Sequence, residues 1–121
     1  MKEPGAVFFL AEKDNDAIGY AKLRTSQTPD ELKGTSAIEI ERLYVDRRFL
    51  GKRVGHLLMN TCIHYARDHG FGTLWLGVWE SNERALAFYK KWGFEQFGHH
   101  VFMLGKDAQT DLLMKKNINN S

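Results

Sequence analysis

The chain has 121 residues, 43% of them hydrophobic, and a formal net charge of +2 at neutral pH. That length supports one domain with one core, and that charge is too small to point to a nucleic-acid partner. The sole cysteine, Cys62, excludes an intramolecular disulfide and a thiolate metal cluster. The apolar run from Ala6 to Ala11 is too short for a signal sequence or a membrane span, so a cytoplasmic protein with no membrane partner is the expectation.

In chain order, Val7 to Glu12 and Ala17 to Arg24 are strand-like runs around Asp14-Asn15-Asp16, which predicts a hairpin. Residues 26–36, with Pro29 and Gly34, predict a loop. Ile38 to Val45 alternates, placing Ile38, Ile40, Arg42 and Tyr44 on one strand face and Glu39, Glu41, Leu43 and Val45 on the other. From Val54, the apolar residues Leu57, Leu58, Cys62, Tyr65 and Ala66 recur at helical spacing up to a stop at Gly70. Thr73 to Trp79 predicts another strand, and Gly77 inside it marks a weak spot or a place where something approaches the backbone. Ser81-Asn82 caps a short helix through Lys91 that Gly93 closes. Phe97 to Leu104 and Thr110 to Lys115 predict a closing hairpin, and the tail Asn117 to Ser121 reads as polar and frayed beyond a single domain over 1–116. The order ββ-β-α-β-α-ββ is that of an α/β domain with a mixed sheet.

The most informative stretch joins the third strand to the first helix. It carries Arg47, Arg48, Lys52 and Arg53 together with Gly51 and Gly55, just where a helix begins. A helix N-terminus exposes unpaired N–H groups and the positive end of the helix dipole, and glycines let an anion come close to the backbone. The turn therefore reads as a diphosphate cradle. An ordinary connection with solvated basic residues is the alternative for this stretch alone. His99 and His100 are adjacent and face opposite sides of a strand, which argues against a paired metal site, and no metal is expected.

Three segments resemble the GNAT acetyltransferase superfamily. They are Ile40-Glu41-Arg42-Leu43-Tyr44-Val45, then Gly51-Lys52-Arg53-Val54-Gly55, then the run from Asn82 through Phe88-Tyr89 to Gly93-Phe94. Trp75-Leu76-Gly77-Val78-Trp79-Glu80 and Gln109-Thr110-Asp111-Leu112 further resemble the bacterial branch with Pai-type spermidine/spermine acetyltransferases. The resemblance implies an α/β, GNAT-like, mixed and mostly antiparallel sheet flanked by helices. Two departures stand out. Leu50 and Arg53 occupy positions where the superfamily's turn has Gln or Arg and a glycine, and the usual first strand and two helices do not precede the hairpin, so the domain reads as N-terminally truncated.

The activity the resemblance implies is transfer of an acetyl group from acetyl-CoA to a primary amine, with a polyamine favoured. Backbone N–H groups of Gly51, Lys52, Arg53, Val54, Gly55 and His56, beside Leu50, would hold the diphosphate. Arg47, Arg48, Lys52 and Arg53 would be available to the 3′-phosphate. The Leu43-Tyr44-Val45 strand would meet the pantetheine arm, and Asn82 would contact the cofactor. An alkylammonium of pKa about 10.4 is neutral in only about one molecule in 2,500 at pH 7, so a base near the nitrogen helps. Glu41 is the first choice and Glu39 the second, although both could simply be a solvated strand face. Tyr89 holds the family's position for protonating the departing thiolate; Phe88-Tyr89 alone would more often be core packing. The competing readings are a CoA-binding module without efficient turnover, a protein or peptide N-acetyltransferase, and a nucleotide-binding domain, the last lacking the P-loop's Gly-Lys-Ser/Thr ending. Val7 to Glu12 would leave an apolar edge strand, which predicts a homo-oligomer formed there.

Overall fold

A computed structural model describes residues 5–118. Strands β1 (Ala6–Lys13) and β2 (Asp16–Arg24) form an antiparallel hairpin. Its turn residues Asp14 and Asn15 have φ of 52° and 70°, the left-handed pair that a two-residue turn between right-twisted strands requires. There follow β3 (Ala37–Val45), α1 (Val54–Asp68), β4 (Thr73–Trp79), α2 (Glu83–Lys91), β5 (Glu95–Leu104) and β6 (Asp107–Asn117). The strands form one sheet in the order β1-β2-β3-β4-β6-β5, parallel at β3–β4 and antiparallel at the other pairings. The expected mixed, mostly antiparallel sheet is present.

Both helices pack on one face. Ala21, Leu23, Ile38, Leu74, Leu76 and Met114 from the sheet meet Leu58, Met59, Cys62 and Ala66 of α1 in a single core, where each fully buried Leu or Met contributes about 1.5–3 kcal/mol. Gly19 sets how close α1 can come. A Cβ there would lie 2.7 Å from the Tyr44 carbonyl oxygen and 3.2 Å from the Val54 and Leu58 side chains. On the other face, the 26–36 loop drops Leu32 onto Ala37, Trp75 and Leu113. The rest of that face is open, with Phe8, Leu10, Tyr44 and Trp79 exposed.

The chain's end departs from the sequence expectation. Asn117 pairs with Thr73 in the sheet, and the buried Ile118 donates its N–H to Gly72 O at 2.9 Å. A polar average over the tail hid one isoleucine that belongs to the core; residues 119–121 lie outside the described residues.

A second departure matters more. Lys22 pairs with Arg42 but Leu23 pairs with Ile40, so Glu41 is an extra residue in β3, a β-bulge. Strict alternation breaks there. Ile38 and Ile40 before the bulge, and Leu43 and Val45 after it, all face the same core. The expectation that Glu39 and Glu41 share a face with Leu43 and Val45 is therefore wrong: the glutamates lie on the open face.

The β3–β4 ladder is short. It joins Ala37, Ile38 and Glu39 to Thr73, Leu74 and Trp75 and then stops. Beyond it β3 runs on against β2 to Val45, and β4 runs on against β6 to Trp79. The facing edges diverge into a cleft whose backbone groups have no strand between them.

Candidate active site

A cavity of about 500 Å³ lies where this cleft meets the two helix N-termini. β3 contributes Leu43 and Val45, the following turn Leu50, Gly51 and Arg53, helix α1 Gly55 and His56, and the α2 region Asn82 and Tyr89. These sequence-expected site residues, distant along the chain, are brought to one place. Tyr44, Lys52 and Val54 are not among the lining residues. Alternation turns the Tyr44 ring to the open face, 5.7 Å from Tyr20, while Lys52 is exposed and Val54 is buried in the core.

The turn before α1 is held by Asp46. Its carboxylate accepts from the Arg48 backbone at 2.9 Å and from Arg48 Nε and Nη2 at 3.1 and 3.0 Å. These bonds, the Arg48 side chain's first, hold the Asp46 carboxyl below its usual range. Arg48, expected as a phosphate ligand, is thus committed to shaping the turn, whereas Arg47, Lys52 and Arg53 form no ion pair among the described residues. Gly51 has φ of 80° and Arg53 of 67°. The first is easy for glycine, and the second costs an L-residue about 1–2 kcal/mol. Arg53 is also the N-cap of α1 and makes no side-chain capping bond. The first-turn N–H groups of α1 are left open toward the cavity. Helix α2 differs, since Asn82 Oδ1 accepts from Ala85 N at 3.2 Å.

Aromatic packing fixes the start of α1 against the second half of α2. The His56 ring lies 6.0 Å from Phe88 and 5.3 Å from Trp92, and a Cβ on Gly55 would meet the Phe88 ring at 3.3 Å. Tyr89 is wedged edge-on between Phe88 at 5.4 Å and Phe94 at 5.6 Å. Burial, with the Cys62 thiol nearby, pushes the Tyr89 hydroxyl up to about 12, so it carries its proton throughout the neutral range. Burial likewise pushes Cys62 up to about 12, which fits a packing residue and not a nucleophile.

Neither glutamate lines the cavity. Glu39 Oε1 is 2.6 Å from Arg24 Nε. Glu41 forms ion pairs with Lys22 Nζ at 2.8 Å and Arg24 Nη1 at 3.4 Å.

The model for the acetyltransferase (GNAT) family matches residues 1–94. The chain belongs to that family. An N-acetyltransferase of Lactobacillus delbrueckii subsp. lactis, described as uncharacterised, is 39% identical over 113 residues, 93% of this chain and 65% of the relative. The chain thus spans somewhat under two thirds of that relative's length. Among solved structures, the ribosomal-protein-S18-alanine N-acetyltransferase of Escherichia coli superposes with a TM-score of 0.80 at 18% identity, covering 99% of this chain and 74% of that one. A GNAT family acetyltransferase from Elizabethkingia anophelis, solved with acetyl-CoA bound, gives 0.76 at 18% identity over 93% of this chain and 76% of the other. Both likenesses confirm the fold.

In this GNAT chain, Phe49, Arg84, Ala85 and Phe88 also line the cavity, although sequence reasoning did not assign them to the site. Arg84 had a legible signal, being a cation in the first turn after the Asn82 cap. Phe49 had none, because only the folded turn brings it inward. Gly77, expected as a weak spot or a place where something approaches the backbone, does not line the cavity. It faces the open side of the sheet, where a Cβ would sit 3.7 Å from Leu113 and 3.9 Å from Asp111.

Proposed function

We propose that this chain binds acetyl-CoA and transfers the acetyl group to an amine. The observation that carries the reading is the convergence of an uncapped helix start, a left-handed cationic turn and the end of β3 that has parted from β4 on one cavity that also holds Tyr89. The bound acetyl-CoA in the Elizabethkingia structure supports it by analogy of fold.

In this reading the N–H groups from Gly51 to His56 hold the diphosphate, with Arg47, Lys52, Arg53 and Arg84 adding charge. Asn82, beside the cavity, contacts the cofactor. The open edge of β3 at Leu43-Tyr44-Val45 pairs with the pantetheine amides as an absent strand would. The amine nitrogen attacks the thioester carbonyl, and a carboxylate accepts the proton that the nitrogen loses. Glu41, at the bulge beside the cleft, takes that role, with Glu39 second. The C–S bond breaks, Tyr89 protonates the thiolate, and the phenol recovers its proton from solvent. The acceptor is a small-molecule or peptide amine, and the Pai-type likeness suggests a polyamine. No helix among the described residues is long and apolar enough to cross a membrane; cytoplasmic residence is part of this proposal.

The ion pairing of both glutamates favours one alternative, a CoA-binding module with little turnover. A homodimer through β1 belongs to the same proposal: β1 is the sheet's edge, with Phe8 and Leu10 exposed on it. Calorimetry with acetyl-CoA tests the binding. Thiol release with spermidine, an aliphatic monoamine and a peptide bearing an unblocked N-terminus tests the transfer, and the solution mass tests the dimer. Absence of acetyl-CoA binding overturns the reading, and binding without thiol release leaves the module.

A further inference from the structure

The open face holds a feature that the transfer reading leaves unused. Trp75, Gly77 and Trp79 alternate onto it from β4, and Asp111 and Leu113 from β6, with Trp79 directly opposite Asp111 and Gly77 opposite Leu113. Between two tryptophans the missing side chain of Gly77 leaves a shelf. Asp111 Oδ1 accepts from Gln109 Nε2 at 3.0 Å, while Oδ2 turns toward the shelf, 3.9 Å from where a Gly77 Cβ would stand. Among the described residues no cation pairs with Asp111.

Charge separates this carboxylate from the two glutamates on β3. Across the cleft, Glu39 and Glu41 are already neutralised by Arg24 and Lys22. Asp111 therefore offers the anionic anchor of the shelf, next to a Trp79 ring that is half exposed. A carboxylate and an indole face together select a compact cation. Leu113 below and the exposed Phe102, opposite Gln109 on β5, give the surroundings an apolar character. The shelf also lies where an acceptor can approach: the helices cover one face of the β3–β4 cleft and leave the other to solvent.

We propose that the shelf over Gly77 binds the acceptor's ammonium group, held by Asp111 and Trp79, and that the acceptor is a primary alkylammonium on an apolar body. Naming the ligand as the acceptor rests on the acetyl-transfer reading; the binding itself does not. The probe is n-hexylammonium chloride, titrated into the protein and followed by the indole N–H resonance of Trp79, which a Trp79→Phe variant identifies. The resonance moves saturably, and 1-hexanol, which lacks the charge, leaves it in place. Asp111→Asn preserves shape and weakens hexylammonium at least tenfold. Gly77→Val fills the shelf at an exposed strand position and abolishes the shift, and it decides the matter should Asp111→Asn fail to fold. Unchanged hexylammonium affinity in a folded variant, or an equal response to hexanol, overturns the proposal. Acetyl-CoA calorimetry on the same samples separates the two readings. Acetyl-CoA binding without any hexylammonium response refutes the shelf alone, and the reverse refutes the transfer reading and leaves an alkylammonium site.

Discussion

The two faces of the sheet are built from the same strands, yet they present different kinds of surface. On the helix side, the cavity is made largely of main chain: an uncapped helix start, left-handed residues at Gly51 and Arg53, and strand edges without a partner. On the open side, side chains dominate, with Glu39 and Glu41 tied to Arg24 and Lys22, Trp79 half exposed, and Asp111 partly buried beside Gln109. A surface of main-chain donors suits a ligand whose shape is constant. A surface of side chains can be rewritten one substitution at a time, and so suits the partner that varies among relatives.

The sharpest way to test that division is to remove one side chain that the helix side does depend on. Tyr89→Phe keeps the ring packing against Phe88 and Phe94 and deletes only the hydroxyl. Turnover is expected to fall about a hundredfold, with acetyl-CoA affinity changed by less than about twofold. Stopped-time thiol release and calorimetry read the two quantities separately, and equal losses in both would mean that Tyr89 serves binding alone.

The next effect belongs to the open face and to stability. Glu39→Gln leaves Arg24, whose side chain is only 23% exposed, without its closest partner. Urea unfolding is expected to show a loss of about 2 kcal/mol. Glu41→Gln, at a carboxylate less deeply buried than Glu39, costs about 1 kcal/mol. If Glu41 is the base, its replacement also lowers turnover most at low pH, where the amine is least often neutral; equal pH profiles for the Glu41 variant and the parent would remove it from the chemistry.

A smaller effect has opposite signs in two measurements. Arg53→Gly relieves a left-handed backbone and raises stability by about 1 kcal/mol. It also deletes a cation at the cavity, and acetyl-CoA affinity drops about threefold. A thermal melt and a calorimetric titration of the same sample check both.

The smallest effect appears only in alkali. Tyr89 is pushed up to about 12 from an ordinary 10.0, so between those values the folded protein keeps a proton that the unfolded chain has lost. The contribution to stability is complete below pH 10 and is lost as pH rises toward 12. Absorbance of ionised phenol gives a last titration step near pH 12, and that step is missing in Tyr89→Phe.

Local rules were enough wherever a feature is decided within a few residues. The Asp14-Asn15 turn, the strand Thr73–Trp79, the Asn82 cap and the stop at Gly93 all stand where the sequence puts them. The glycine-bearing cationic turn at the start of α1 was legible for the same reason, since glycines, cations and a helix start are adjacent in sequence. What escaped depends on partners far along the chain. The bulge at Glu41 exists because β2 pairs with β3 in two registers, and its trace within β3, the switch of apolar residues from even positions (Ile38, Ile40) to odd ones (Leu43, Val45), is read as a bulge only once that partner is known. Ile118 is held in the core by a partner far along the chain, its N–H donating to the carbonyl of Gly72. Gly77 was recognised as a place of close approach, but the side of the sheet it serves follows from β6 and not from its own strand.

The extra residue at Glu41 has one further consequence, for insertions and deletions. It acts as a phase shifter inside a strand: the residues before it and after it are read in different frames. Deleting Glu41 would join Ile40 directly to Arg42 and restore plain alternation: Ile38, Ile40, Leu43 and Val45 would still face the core, Arg42 and Tyr44 the open face, and the pairings of Leu23 with Ile40 and of Lys22 with Arg42 would stand. A deletion in the regular part of the strand, at Tyr44 for example, would instead turn Val45 to the open face, so the bulge marks where β3 can change length without changing its hydrophobic pattern.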